Sequence, residues 1–122
     1  MDWHQANHKQ LSAVLTQLRD QLAVWAEPQP RGGSARPRVS LADAVAAAEQ
    51  AMPAPSAIAR LVEKFGLTPF ERDLLLLCAG VELDPALARL CDALGGHPQP
   101  SFGLGFRIIE GAHWSALGPD SR

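Results

Sequence analysis

Residues Leu67 to Leu94 read LTPFERDLLLLCAGVELDPALARLCDAL, and they specify two helices with a start signal in front of each. In the first signal the Thr68 hydroxyl is placed to accept from the backbone amide of Glu71, whose carboxylate reaches back to the amide of Thr68. Pro69 falls on the first helical residue, where no amide donor is needed. Asp84 followed by Pro85 repeats the device. The spacing predicts helices over Pro69–Gly80 and Pro85–Leu94, joined by a three-residue turn, Val81–Leu83, ahead of the Asp84 cap. The continuous run Leu74–Cys78 predicts that the first of these helices is central and buried on most sides. Leu87, Leu90, Cys91 and Leu94 give the second one an apolar face.

Working outward, residues 2–27 read as one long amphipathic helix. Leu11, Leu15, Leu18, Leu22 and Trp25 are spaced 4, 3, 4, 3, an a/d seam widened by Val14. A helix packed on its own domain is the first reading. Helix pairing between chains through residues 11–25, hence a homo-oligomer, is the alternative. Glu27–Arg38, EPQPRGGSARPR, holds three prolines, two adjacent glycines and three arginines, and is expected to be a solvated tether. Ser40 is expected to cap a short helix to Met52, with Asp43 in the box position and Leu41, Val45 and Ala48 on its apolar face. Pro55–Phe65 is the next helix, with Ile58, Leu61, Val62 and Phe65 on one side and Gly66 as its left-handed stop. After the turn HPQP, Ser101 caps FGLGFRIIEG, read as a last short helix with Phe102, Phe106 and Ile109 on one face. Trp114 and Leu117 anchor the tail. The expected architecture is all-α, about six helices around a helix-turn-helix core. It divides into a long helix (1–27), a linker (28–39) and a helical domain (40–122).

Composition fits a globular domain of 122 residues, 47% apolar and 20% charged. The formal net charge of -2 lacks the basic excess of a nucleic-acid binder. Cys78 and Cys91 are too few for a disulfide framework and read as buried reduced thiols, which suits the cytoplasm. No apolar run approaches the roughly 18 residues of a membrane span, and MDWHQANHKQ is no signal peptide.

The chemical motifs are weak. His4 and His8 share a helical face, but His-Gln-Ala-Asn-His lacks the glutamate of a zinc-protease helix, so an exposed first turn is the better reading. Glu71 and Asp73 diverge around the helix and act as caps rather than as an acid/base pair, with Arg72 free to pair with a carboxylate. Ser-Phe-Gly-Leu-Gly at 101–105 is not a phosphate loop, and no Walker motif occurs. No catalytic residue, metal or cofactor is expected, ATP included. As a DNA reader the unit would use Phe102–Ile109 as recognition helix, whose only cation is Arg107.

FGLTPFERDLLLLCAGVELDPALARLCDAL and PSFGLGFRIIEGAHWSALGP resemble the winged-helix-type region in the N-terminal part of certain bacterial AAA+ ATPases, akin to the cell-division-cycle subfamily and often encoded with phage-tail-like contractile injection systems. The resemblance covers Ser56–Pro119, about half of the chain, and is most specific in FERDLLLLCAGVELD and HWSAL. The family pattern continues into wing strands and an ATPase module, whereas this sequence ends at Arg122, so ATPase activity is not carried over. The resemblance implies a winged helix lacking its wing, non-catalytic, that recognises substrates or adaptors for a motor. Protein partners are expected, injection-system components or AAA+ subunits among them; nucleic acid and membrane are not. Aromatic and arginine anchors for such a partner would be Trp3, Trp25, Phe102, Phe106 and Arg107, though core packing competes for Phe102 and Phe106. The alternatives are a helix-turn-helix DNA-binding regulator and a helical oligomerisation domain.

Overall fold

A computed structural model describes residues 2–27, 36–95, 104 and 107–110. Up to Gly95 the described residues form five helices in succession: α1 (Trp3–Ala26), α2 (Ala42–Gln50), α3 (Ala57–Phe65), α4 (Pro69–Leu83) and α5 (Pro85–Gly95). The only extended pairing among the described residues is a parallel bridge between Val39 and Ile109. Val39 N–H donates to Ile108 O at 2.7 Å, and Glu110 N–H donates to Val39 O at 2.7 Å.

α1 begins at a capping box that the sequence reading did not identify. Gln5 N–H donates to Asp2 Oδ1 at 2.8 Å, and Asp2 N–H donates to Gln5 Oε1 at 3.3 Å. The seam residues Leu15, Leu18 and Leu22 are buried with Val14, while Leu11 and Trp25 pack at the margin of the same core. That core also holds Leu41, Phe70, Leu76, Leu77 and Leu87, so the seam is occupied within the chain itself. α1 lies against α2, α4 and α5.

The start signals of α4 and α5 form as expected. Thr68 N–H donates to Glu71 Oε1 (2.8 Å) and Glu71 N–H donates to Thr68 Oγ1 (3.1 Å). Asp84 Oδ1 accepts from Ala86 N–H at 2.9 Å. The turn between them differs. α4 runs on through Val81–Leu83, leaving Asp84 alone between the helices, its own N–H bonded to Gly80 O at 2.7 Å. Gly80 therefore ends nothing. A Cβ there would stand 2.7 Å from Leu87 Cδ1 and 3.0 Å from Leu15 Cδ2, so the glycine lets α1 and α5 approach α4 closely.

Burial of α4 is one-sided. Leu76 and Leu77 are buried, whereas Leu75 is 38% exposed and Cys78 is exposed. Consecutive helical residues point about 100° apart, so a four-leucine run covers every side, and the core takes only one. α3 departs likewise: Ile58 is buried, but Leu61 and Phe65 are 38% and 52% exposed. Its C-terminal end matches the sequence, with Gly66 at φ 61°, but it starts at Ala57 rather than Pro55, capped by Ser56 Oγ, which accepts from Ala59 N–H at 3.1 Å.

The cap expected for α2 forms only in part: Ser40 Oγ accepts from Ala42 N–H at 3.4 Å. Its N-cap is Leu41, with no side-chain capping bond from Asp43; instead Leu41 N–H donates to Asp73 Oδ2 of α4 at 3.0 Å. The Gln21 carboxamide grips Ser40 from both sides, Nε2 donating to its carbonyl (2.8 Å) and Oε1 accepting from its amide (2.9 Å). Of the expected tether, residues 28–35 lie outside the described residues, but Arg36–Val39 is held. Trp25 Nε1 donates to Pro37 O at 2.8 Å, Arg36 donates to Glu27 O, and the Arg38 guanidinium donates to Ile109 O at 3.1–3.2 Å. Of the last expected helix only Leu104 and 107–110 are described: Leu104, Arg107 and Ile108 are helical as expected, and Ile109 then leaves the helix to join the bridge. Trp114 and Leu117 lie outside the described residues.

Candidate functional site

The three candidate contact residues that are described, Trp3, Trp25 and Arg107, are each engaged in a different place. Trp3 is half-buried: its Nε1 donates to Pro55 O at 2.9 Å, the Arg60 guanidinium lies 4.9 Å over the ring, and His4 meets it edge-on at 5.2 Å. One turn on, Asn7 Oδ1 accepts from Ala57 N–H at 2.9 Å, the second tie between the start of α1 and the start of α3. Trp25 holds the incoming strand residues through Pro37 at the opposite end of α1. Arg107 Nη2 donates to Leu94 O at 2.9 Å and so satisfies a carbonyl in the last turn of α5. Phe102 and Phe106 lie outside the described residues. The described candidates thus act first as ties between elements. Replacing Trp3 with Phe keeps the ring and removes the indole donor; it is expected to cost about 1 kcal/mol in urea unfolding.

Glu71 acts as a cap, as expected. Asp73 does something else. It is 2% exposed, accepts from Leu41 N–H, and takes the Arg72 Nε donor at 2.9 Å on Oδ1. Burial pushes its carboxyl above the ordinary range, against the lowering pull of the Leu41 amide and of Arg72. The signal was present in the sequence: Phe70, Asp73, Leu77 and Gly80 fall at spacings of 3, 4 and 3, and all four are buried. A carboxylate in a core stripe needs a partner, and the backbone amide at the start of a helix, here Leu41 N–H, is such a donor.

The two thiols differ, although both were expected to be buried. Cys91 is buried and Cys78 exposed, both are free, and burial pushes both thiols up, Cys91 also through its proximity to Cys78. The reason is again the one-sided burial of α4. Under native conditions a thiol reagent is expected to label Cys78 slowly and Cys91 only on unfolding, readable by mass spectrometry.

His4 and His8 are exposed on the first turns of α1, and no group of three or more His, Cys, Asp or Glu among the described residues is placed to hold a metal. No helix among them is long and apolar enough to cross a membrane.

Among the described residues, three exposed surfaces bear on function. The outward face of α5 offers Pro85, Arg89, Asp92 and Ala93. α3 exposes Leu61 and Phe65 four residues apart, with Lys64 5.6 Å from the Phe65 ring. Between α1 and α2 runs an alanine-lined groove, a pocket of about 640 Å³ reaching from Ala13 to Asp43 and adjoined by one of about 170 Å³ around Gln10. Sequence reading missed this groove, although the run ADAVAAAEQ of α2 carried the sign, a helix too poor in large side chains to fill its own surroundings.

Neither a curated protein nor a solved structure matches the chain. A family model described as "Winged helix domain, variant" matches residues 2–109, taking in α1 and α2 as well as the stretch from Ser56 onward. A match over that span, on an all-helical chain with α4 and α5 as its helix-turn-helix pair, decides the family: the chain belongs to the variant winged helix domains.

Proposed function

We propose that this winged helix domain is a non-catalytic protein-recognition module, working in the cytoplasm as the substrate- or adaptor-recruiting N-terminal domain of a AAA+ ATPase linked to a contractile injection system. The observation that carries the protein-binding part is the outward face of α5. In a helix-turn-helix pair the second helix is the one that enters the major groove. Reading base edges takes Arg, Lys, Asn or Gln. α5, PALARLCDALG, has one such residue, Arg89, with Asp92 exposed on the same helix. Arg107, the cation of the segment first read as the recognition helix, is bonded to Leu94 O. Exposed Leu61, Phe65 and Leu75 suit a protein surface better than a phosphate backbone.

The motor and its injection system are supported by the resemblance of FERDLLLLCAGVELD and HWSAL to such ATPases. In that setting ATP binds the motor and no cofactor binds here. Pull-down by this domain of sheath, tube or effector proteins from such a system is the test. Capture of one of them, lost when the ATPase is deprived of the domain, is the expected result. No capture by the domain, with capture retained by an ATPase lacking it, overturns the proposal.

A further inference from the structure

The groove between α1 and α2 points to the kind of partner. Ala13 and Ala48 belong to both of its pockets, so the two are continuous. Methyl-sized walls let another backbone come close, as they do between packed helices. Small residues alone would mean little, since any tight helix pair uses them. Gln10 adds an independent sign. It lines the smaller pocket, is 4% exposed, and its Nε2 has no hydrogen-bond partner. A buried amide donor without an acceptor is costly, and native proteins keep few of them. Lys9, exposed, lines the same pocket. Two donors therefore gather at one end of the groove.

The opposite end carries a carboxylate. Asp43 is exposed on the larger pocket, beside Ser40 and Gln21, which are occupied with each other. Gln21, late in α1, meets the start of α2, while Ala6, early in α1, shares the smaller pocket with Ala51 at the far end of α2. α1 and α2 thus run antiparallel, with the acid at the start of α2 and the donors at its end.

We propose that this groove seats an apolar helix of a protein partner, running parallel to α2, with its first turn at Asp43 and its last turn over Lys9 and Gln10. The last carbonyls of a helix have no intrahelical donor and carry the negative end of its dipole; Lys9 Nζ and Gln10 Nε2 supply what they lack. The positive N-terminal end meets the Asp43 carboxylate. The smaller pocket has room for one aliphatic side chain of that helix. This rests on the protein-recognition reading and names the surface and the chemistry of the partner.

The test is selection on the whole chain from a displayed library of alanine-scaffold helical peptides of about 14 residues, one face randomised and the C-terminus free. Selected peptides are expected to lose about tenfold or more in affinity to the Ala13→Arg and Ala47→Arg variants. Both positions are exposed, and unchanged circular dichroism confirms the fold. Gln10→Leu is expected to weaken binding about fivefold, and the side-chain amide resonance of Gln10 to shift on saturation. A spin label on the peptide N-terminus is expected to broaden Asp43 and Ala44, not Lys9. Binding insensitive to both arginine variants, no selected binder, or broadening at Lys9 overturns the groove proposal. The pull-down judges the recruiting role separately: helices bound at the groove with no injection-system protein captured would sink that role alone, and capture insensitive to the arginine variants would sink only the groove.

Discussion

Replacing Asp73 with alanine is expected to destabilise the domain by about 3–5 kcal/mol, the range for removing one partner of a buried pair. Two groups lose their partner at once. Leu41 N–H, at the start of α2, loses its acceptor at 3.0 Å, and the Arg72 guanidinium, its side chain 15% exposed, loses the carboxylate it pairs with at 2.9 Å. Arg72 is ill placed to find another, since its Nη2 is already buried without a hydrogen-bond partner. Asp73→Asn keeps an acceptor for Leu41 and is expected to cost less. The pH dependence follows from burial, which raises the carboxyl above 3.8 in the folded chain. The folded state then holds the proton more tightly than the unfolded state. Stability contributed by Asp73 is therefore fullest below 3.8 and is lost as pH rises through the folded value. Urea melts of the wild type and Asp73→Asn at about pH 7 and about pH 4.5 check the sign: the gap should move in favour of the wild type on acidification. A gap moving the other way would mean that the Arg72 ion pair outweighs burial.

Leu18→Ala is expected to cost about 2–5 kcal/mol, as for other fully buried leucines. Leu18 is 1% exposed and lies beside Gly80, where α1 meets α4. Val24→Ala on the same helix, at a side chain 38% exposed, is expected to change stability by less than about 0.5 kcal/mol. The contrast tests whether α1 is structural. A detachable partner-binding helix would tolerate Leu18→Ala with no change in the melting of the rest, whereas a helix sharing the core lowers the melting of the whole domain.

Local signals were legible and tertiary ones were not. The Thr68–Glu71 box, Gly66 and the Asp84–Pro85 start depend on neighbours in sequence, and each formed. The sequence places the end of the helix at Gly80, yet the helix runs through it; the role of this glycine comes from Leu15, far away in the chain, and from Leu87 on the next helix. Ser40 supplies only a long bond to Ala42 N–H and Asp43 none, while the Leu41 amide at the start of α2 goes to Asp73; the spacing within α4 marks Asp73 as inward-facing but does not say which helix start it meets. The exposed Leu61, Phe65 and Cys78 follow from how many neighbours a helix has, which periodicity does not count. For function the same division holds. The aromatic candidates Trp3 and Trp25 were chosen by residue type, and their indole N–H groups are taken up by Pro55 and Pro37. The alanine groove escaped notice because alanines carry no chemistry; only the orphan amide of Gln10 gives it meaning.

The reading proposed for this winged helix is recognition of protein and not of DNA. Titration of a fluorescent duplex of about 20 base pairs at about 0.15 M salt tests it most directly. The expected result is no saturable binding by the chain at micromolar concentrations, and only weak association as salt is lowered. Saturable submicromolar binding, with log K falling steeply against log salt and reduced by Arg89→Ala, would contradict it.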